Sequence, residues 1–219
     1  MSLRSRLALA KLALYARPEQ AHLDVLAPLV RAGVGLVVLG GTGDDAADAR
    51  ALGQVRQAVA RLPLLLATDN GGAAKEASAD VVHLPKPGLR LFGGPPRGHA
   101  WTLMGRNARD QRTIAKPGDD YDYLFVGPID GADSGALADA VALQPPFADG
   151  SLPWFAYGAF DEQAAGAVVA AGARRVALDG AALEGAAAVE LVTAVRALLD
   201  QAWADDPEGS AFRRRAARL

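Results

Sequence analysis

Residues 64–88 read "LLLATDNGGAAKEASADVVHLPKPG". An apolar run ends in Thr68-Asp69-Asn70, a segment of small residues follows, and a second apolar run ends in His83 against Pro85-Lys86-Pro87-Gly88. Each apolar run is too short for a helix and is bounded by turn formers, so each predicts a strand. The Ala-rich segment between them predicts a helix, and a strand–helix–strand unit of this length joins parallel strands. Polar groups at the carboxyl ends of successive buried strands are where barrel enzymes keep their chemistry.

The same pattern continues in both directions. "RAGVGLVVLG", "DDYDYLFVG" and "AGARRVALDG" each place a small or acidic residue before a buried run that ends in Gly or a polar group. Strands are expected over Leu7–Ala16, Val34–Leu39, Leu64–Thr68, Val81–Leu84, Trp101–Gly105, Tyr121–Gly127, Pro153–Gly158 and Arg175–Leu178. The clearest helices are Leu23–Ala32, Ala46–Leu62, Gln163–Ala171 and Leu183–Ala204. Eight such units predict a single (β/α)8 TIM barrel over residues 1–204. The alternative is a doubly wound open sheet, but no Gly-rich fingerprint follows the first strand. The last residues, 205–219, read as a polar break and a flexible basic tail.

Composition fits that reading. The chain has 219 residues, 51% of them hydrophobic, enough for one domain with a sizeable core. A formal charge of -2 gives no reason to expect nucleic acid or an anionic membrane as partner. The absence of cysteine excludes thiolate metal sites and a Cys nucleophile. No apolar segment approaches the roughly 20 residues that span a bilayer. The amino-terminal "MSLRSRLALAKLALYA" is interrupted by Lys11 and leads into the fold, so a cytoplasmic location is the default. A homo-oligomer is compatible with all of this.

The order of motifs resembles thiamine phosphate synthase and its TenI-type relatives, which are TIM barrels. The best-matching pieces are "ATDNGGAAKEASADVVHL", "LMGRNARD", "DDYDYLFVGPI" and "PWFAYGAFDEQAAGAVVAAGARRVAL", and together the resemblance runs from "LALYA" to "VALDGAAL". It implies a transferase in which a hydroxymethylpyrimidine diphosphate ionises and the nitrogen of a thiazole phosphate attacks the carbocation. Such a site needs Mg2+ on carboxylates, cations on the diphosphate, and backbone N–H groups for the thiazole phosphate.

Carried over position by position, the resemblance implies Asp69 as a metal ligand, with His83, Asn107 and Ser134 in catalytic positions. The phosphate would meet Gly127, Gly158, Ala159 and Gly180. Several positions depart from the family pattern. Val38, Gly40 and Thr42 stand where Gln, Arg and Lys are expected, and Gly88 stands at the second metal carboxylate. Asn107 replaces a Ser, "ADSG" replaces a Thr-x-Thr-Lys loop, and Asp179 sits where a phosphate would approach. Losing one preorganised electrostatic group typically costs about 3–4 kcal/mol of transition-state stabilisation. Asp130, Asp133, Asp161 and Asp179 would also repel a phosphorylated ligand.

The residues on their own leave several roles open. Lys86, Arg106 and Arg109 follow adjacent strands and form either an anion patch or solvated loop charges. Asp69, Asp130 and Asp179 either converge on a hard cation or cap helices. His83 is an acid/base group or a hydrogen-bonded core histidine. His22 and His99 are expected on the surface, Tyr157 in the vacated pocket, and Trp101, Trp154 and Phe155 in barrel packing. Three functions follow. One is a diverged family member that has lost the coupling but binds a small heterocyclic or anionic ligand. The second is a working synthase whose cations are Lys86, Arg106 and Arg109 around Asp69. The third is a non-catalytic scaffold or regulatory barrel.

Overall fold

Short β-branched and aromatic runs bounded by Gly, Pro and Asp close into one sheet. In the computed structural model, which describes residues 1–17, 23–85, 97–132, 134–183 and 185–219, eight strands form. They are β1 (Leu12–Ala16), β2 (Leu36–Leu39), β3 (Leu65–Thr68), β4 (Val81–Leu84), β5 (Leu103–Ala108), β6 (Tyr123–Val126), β7 (Trp154–Gly158) and β8 (Val176–Asp179). Each pairs in parallel with the next, and β8 returns to β1 to close the barrel. The helices between them are α2 (Leu23–Ala32), α3 (Asp45–Ala58), α4 (Gly71–Glu76), α5 (Gln111–Ala115), α6 (Gly135–Leu143), α7 (Glu162–Ala170) and α8 (Gly185–Asp205). This is the predicted (β/α)8 barrel, not the open sheet.

Strand alternation sorts the side chains into two cores. Leu36, Val38, Leu65, Ala67, Val81, Leu103, Tyr123, Phe125, Phe155 and Ala177 fill the barrel interior. The residues between them, such as Val37, Leu66, Leu124, Ala156 and Leu178, pack outward under the helices. The register places His83 beside Gly105, Gly105 beside Tyr123, and Tyr15 beside Asp179. Those neighbours set the chemistry of the mouth, the end where the strands finish.

Two expectations fail at the opposite end, the floor. The first strand does not begin at Leu7, because Leu3–Leu9 is a helix (α1). Ser2 caps it by accepting from the Ser5 N–H at 3.0 Å, and Leu3 and Leu7, four apart on one face, join the interior core as a plug. Residues after Asp205 are not a flexible tail either. Gly209–Ala216 forms a helix (α9) that packs on α1 and α8. Phe212 anchors it against Phe147 and Trp203, at ring-centroid distances of 5.1 and 5.9 Å, and Arg215 donates to the Phe147 carbonyl at 2.7 Å. The single aromatic in an otherwise basic run is what docks it. Trp101 also departs from its expected place. It precedes β5, is 51% exposed, and stacks on His99 at 4.9 Å.

Candidate ligand site at the barrel mouth

His83 is the deepest polar group of the mouth and is fully buried. Its Nε2 lies 2.8 Å from Asn107 Oδ1 and its Nδ1 2.8 Å from the Tyr123 hydroxyl. An amide oxygen only accepts, so Nε2 carries the proton and Nδ1 accepts from Tyr123. Burial pushes His83 down to about 4, opposed by the bond to Asn107. At neutral pH the ring is therefore uncharged. Gly105 makes this possible: a Cβ there would overlap the Tyr123 ring. Of the two open readings, the hydrogen-bonded core histidine is the one its geometry matches.

Above His83 the wall is aromatic and acidic. Phe125 lies 4.4 Å from the His83 ring and 5.7 Å from Tyr157, and Tyr157 meets Tyr15 edge-on at 6.1 Å. Each tyrosine hydroxyl donates to a carboxylate: Tyr157 to Asp179 at 3.0 Å and Tyr15 to Asp69 at 3.3 Å. Burial, then the nearby Asp69 charge and its hydrogen bond, push the Tyr15 hydroxyl up to about 12. Burial and Asp179 raise Tyr157 as well. Both are neutral donors at physiological pH. Burial raises the Asp69 carboxyl, against hydrogen bonds from Gly41 and Tyr15 that favour the ionised form.

Asp69 is not a helix cap, nor among the described residues a member of a metal cluster. The cap of α4 is Asn70, whose side chain accepts from Gly72 and Ala73. Asp69 instead accepts the Gly41 N–H. The buried Asp48 holds the same loop from its other side, accepting from the Thr42 N–H and hydroxyl and from the Asn70 amide at 2.8–3.1 Å. The loop after β2, where the resemblance expects cations on a diphosphate, is thus fastened by two carboxylates. Among the described residues no group of three His, Asp or Glu side chains could hold a metal ion. Gly88, at the expected second ligand, has no side chain to offer. Among the described residues the donor set does not fit a magnesium centre.

The other predicted site residues divide in the same way. Arg106 is out of the mouth, because it alternates with the inward-facing Gly105 and Asn107. It donates to the Pro117 carbonyl at 3.2 Å and lies over Tyr121 at 5.0 Å. Arg109 is exposed at the rim. Lys86 and Gly88 lie outside the described residues, as do His22 and Asp133. Ser134 occupies the cap position of α6 without a side-chain cap bond, and no described contact joins it to His83 or Asn107. Gly127 donates its N–H to the Ala108 carbonyl at 2.9 Å, which occupies the donor a phosphate would need. Gly158 and Gly180 serve close packing: a Cβ would come 2.6 Å from the Ile129 carbonyl and 2.8 Å from the Tyr15 carbonyl. Ala159 is exposed. Asp179 caps the turn after β8 through the Ala181 N–H at 3.0 Å, and Asp161 caps α7.

Sequence reasoning missed Tyr15, Tyr123, Gly105, Gly41 and Asp48. A signal existed for the first three. Counting by two from Asn107 and Phe125 puts Gly105 and Tyr123 inside the barrel, and the "LALYA" strand then turns Tyr15 inward beside Asp179.

A closed parallel barrel of eight strands defines the class: a (β/α)8 barrel protein. The chain is 33% identical to the thiamine-phosphate synthase of Thermobifida fusca over 216 residues, covering 87% of this chain and 94% of that protein. It is 37% identical to the thiamine-phosphate synthase of Mycobacterium avium over 124 residues, about half of each protein. It belongs to the thiamine-phosphate synthase family. Among solved structures it superposes on thiamine phosphate pyrophosphorylase from Pyrococcus furiosus with a TM-score of 0.72 at 15% identity, covering 92% of this chain and 99% of that one. The protein of the same name from Bacteroides thetaiotaomicron gives 0.61 at 16%, covering 87% and 98%. At these identities the likeness is one of fold. No family model matches the sequence.

Proposed function

We propose that this chain is a diverged member of the family that binds a small nitrogen heterocycle at the barrel mouth and has lost the coupling of pyrimidine diphosphate with thiazole phosphate. The observation that carries the reading is the engagement of Asp69. The one carboxylate aligned with a metal ligand already accepts from Tyr15 and Gly41. A departing diphosphate needs several positive groups in a dry pocket. Here Asp48 and Asp179 stand among its neighbours. The remaining His83–Asn107 pair and the tyrosines retain the means to hold a flat polar ring.

The test is an assay of purified protein with both substrates and magnesium, beside a working synthase as control. No thiamine phosphate is expected. Turnover comparable with the control, abolished by Asp69→Ala, would instead establish the second reading, a working synthase that uses Lys86 and Arg109 around Asp69. The 33% identity to the Thermobifida enzyme is what favours that alternative.

A further inference from the structure

We propose that the floor of the barrel carries a binding site for a short aliphatic carboxylate. The site lies where the strands begin, opposite the mouth, and does not depend on the reading above.

Three features carry it. The first is a cavity of about 210 Å3 between the ends of α1 and α2 and the side of α8, with aliphatic walls from Leu9, Val30, Val34 and Pro63. Pockets for drug-sized ligands begin near about 300 Å3, so an occupant here is small. The second is charge. Arg6, Lys11 and Arg196 line the same cavity. Lys11 and Arg196 share one carboxylate, Asp200, at 2.6 and 3.0 Å. Arg6 has no carboxylate partner among the described residues and donates to the Leu64 carbonyl. The third is unused donors. Arg196 spends Nε on Asp200 and Nη1 on the Gly33 carbonyl, and Arg6 spends only Nη2. A guanidinium offers five N–H groups, so Arg196 Nη2 and Arg6 Nε and Nη1 remain without a partner among the described residues.

The surroundings do not cancel the positive charge. The carbonyl ends of α1 and α2 offset part of it, about half a charge each, which leaves three cations in excess of Asp200 and both helix ends. The Lys11 side chain is only 9% exposed, so solvent screens it poorly. Burial pushes its ammonium down, the bond to Asp200 and its charge oppose this, and Arg196 and Arg213 add to the fall. A bound anion would supply what the ammonium lacks. The cavity is also built around its arginine: Gly33 has a φ of +124°, and a Cβ there would come 2.8 Å from Arg196 Cγ. Glycine thus lets Arg196 lie across the end of α2. A guanidinium fork matches a carboxylate, and the aliphatic walls match a short chain behind it.

Hexanoate, hexanamide and inorganic phosphate separate the two parts of the site. The amide keeps the chain without the charge, and phosphate keeps the charge without the chain. Isothermal titration of the full chain is expected to show one saturable hexanoate site, with the other two at least about tenfold weaker. Arg196→Gln is expected to lower hexanoate affinity about tenfold while the urea midpoint changes little. Arg196 also holds Asp200 and Gly33, so Arg6→Gln on α1 tests the same point should the first variant misfold. Equal binding of hexanamide would reduce the floor to an apolar crevice, and equal binding of phosphate would reduce it to a patch of charge; either overturns the proposal. So does a hexanoate affinity indifferent to both substitutions, or no hexanoate binding up to about 10 mM. None of these results bears on the coupling reaction or on heterocycle binding at the mouth.

Discussion

At the floor of the barrel Arg175 is 2% exposed, and its guanidinium lies among the rings of Trp203, Phe212 and Phe147 at 5.1, 5.4 and 5.9 Å. At the mouth the rings are again gathered, but the charges among them are the carboxylates of Asp69 and Asp179. The chain fills its lower aromatic cage with its own cation, roofs it with α9, and presents the upper one to solvent with the complementary charge. At the floor the rings enclose a cation; at the mouth they are hydrogen-bonded to carboxylates that the fold leaves partly exposed. The difference separates a cage closed over by the fold from one that reaches solvent, and single substitutions at the two ends should respond differently.

The largest contrast is expected from the aromatics. Trp203 is completely buried and touches Lys11, Arg175, Phe147 and Phe212. Trp203→Ala should cost about 3–5 kcal/mol, read as a shift of the urea midpoint. Tyr157→Ala, in the half-open mouth, should cost less than half as much by the area it buries. Equal losses would mean that the mouth is as much part of the core as the floor, and the division would collapse.

Next comes the pH dependence of stability, which isolates the lowest layer of the mouth. His83 titrates near 4 when folded and close to its ordinary ~6.5 when unfolded. Between those values the unfolded chain binds the extra proton. Stability is therefore full above about pH 6.5 and falls as the pH drops toward 4, by about 3 kcal/mol in all. His83→Gln should flatten that window in a denaturation series run from pH 7.5 to 4. A slope unchanged by the substitution would show that His83 is not the buried neutral base its partners make it.

Tyr123→Phe probes the same layer from the other side. It removes the donor to His83 Nδ1 without changing the ring, leaving a buried acceptor unpaired at a cost of about 1–3 kcal/mol. Tyr15→Phe at the rim should cost well under 1 kcal/mol, because Asp69 keeps its Gly41 donor and contact with water. The ratio of the two losses, measured by chemical denaturation, sharpens where the core ends and the site begins.

The barrel itself was legible in the sequence because apolar runs of period two and Ala-rich segments recur with few exceptions, and burial enforces both. The two errors at the floor have separate causes. From Leu7 to Ala16 the chain is apolar apart from Lys11, so periodicity does not say where helix gives way to strand; the Ser2 cap and the need to plug a barrel bottom do. The final basic run looked solvated because charge dominated the count, whereas the single Phe212 determines its position. At the mouth, the sequence singles out Asp69, His83, Asn107, Tyr157 and Asp179. What each one bonds to was not legible, since Tyr15–Asp69 and His83–Tyr123 join residues 54 and 40 positions apart. Arg106 was misplaced because it was judged by charge and not by its phase on β5.

A small effect is also expected where the charge is most deeply buried. Arg175 donates to the Ala8 carbonyl at 2.8 Å, and its Nε is buried without a hydrogen-bond partner among the described residues. Desolvation pushes its pKa down to about 9, so at neutral pH it still carries its charge. The rings and one carbonyl therefore repay a desolvation cost that no carboxylate shares, and removing such a charge in favour of an apolar side chain of similar length is close to neutral. Arg175→Met should change stability by no more than about 1 kcal/mol, far less than Trp203→Ala beside it, although both are buried to the same degree. A loss of several kcal/mol in thermal denaturation would mean that the guanidinium organises α9 and its aromatic cage, making the floor a cation site in its own right and not merely a core that tolerates one.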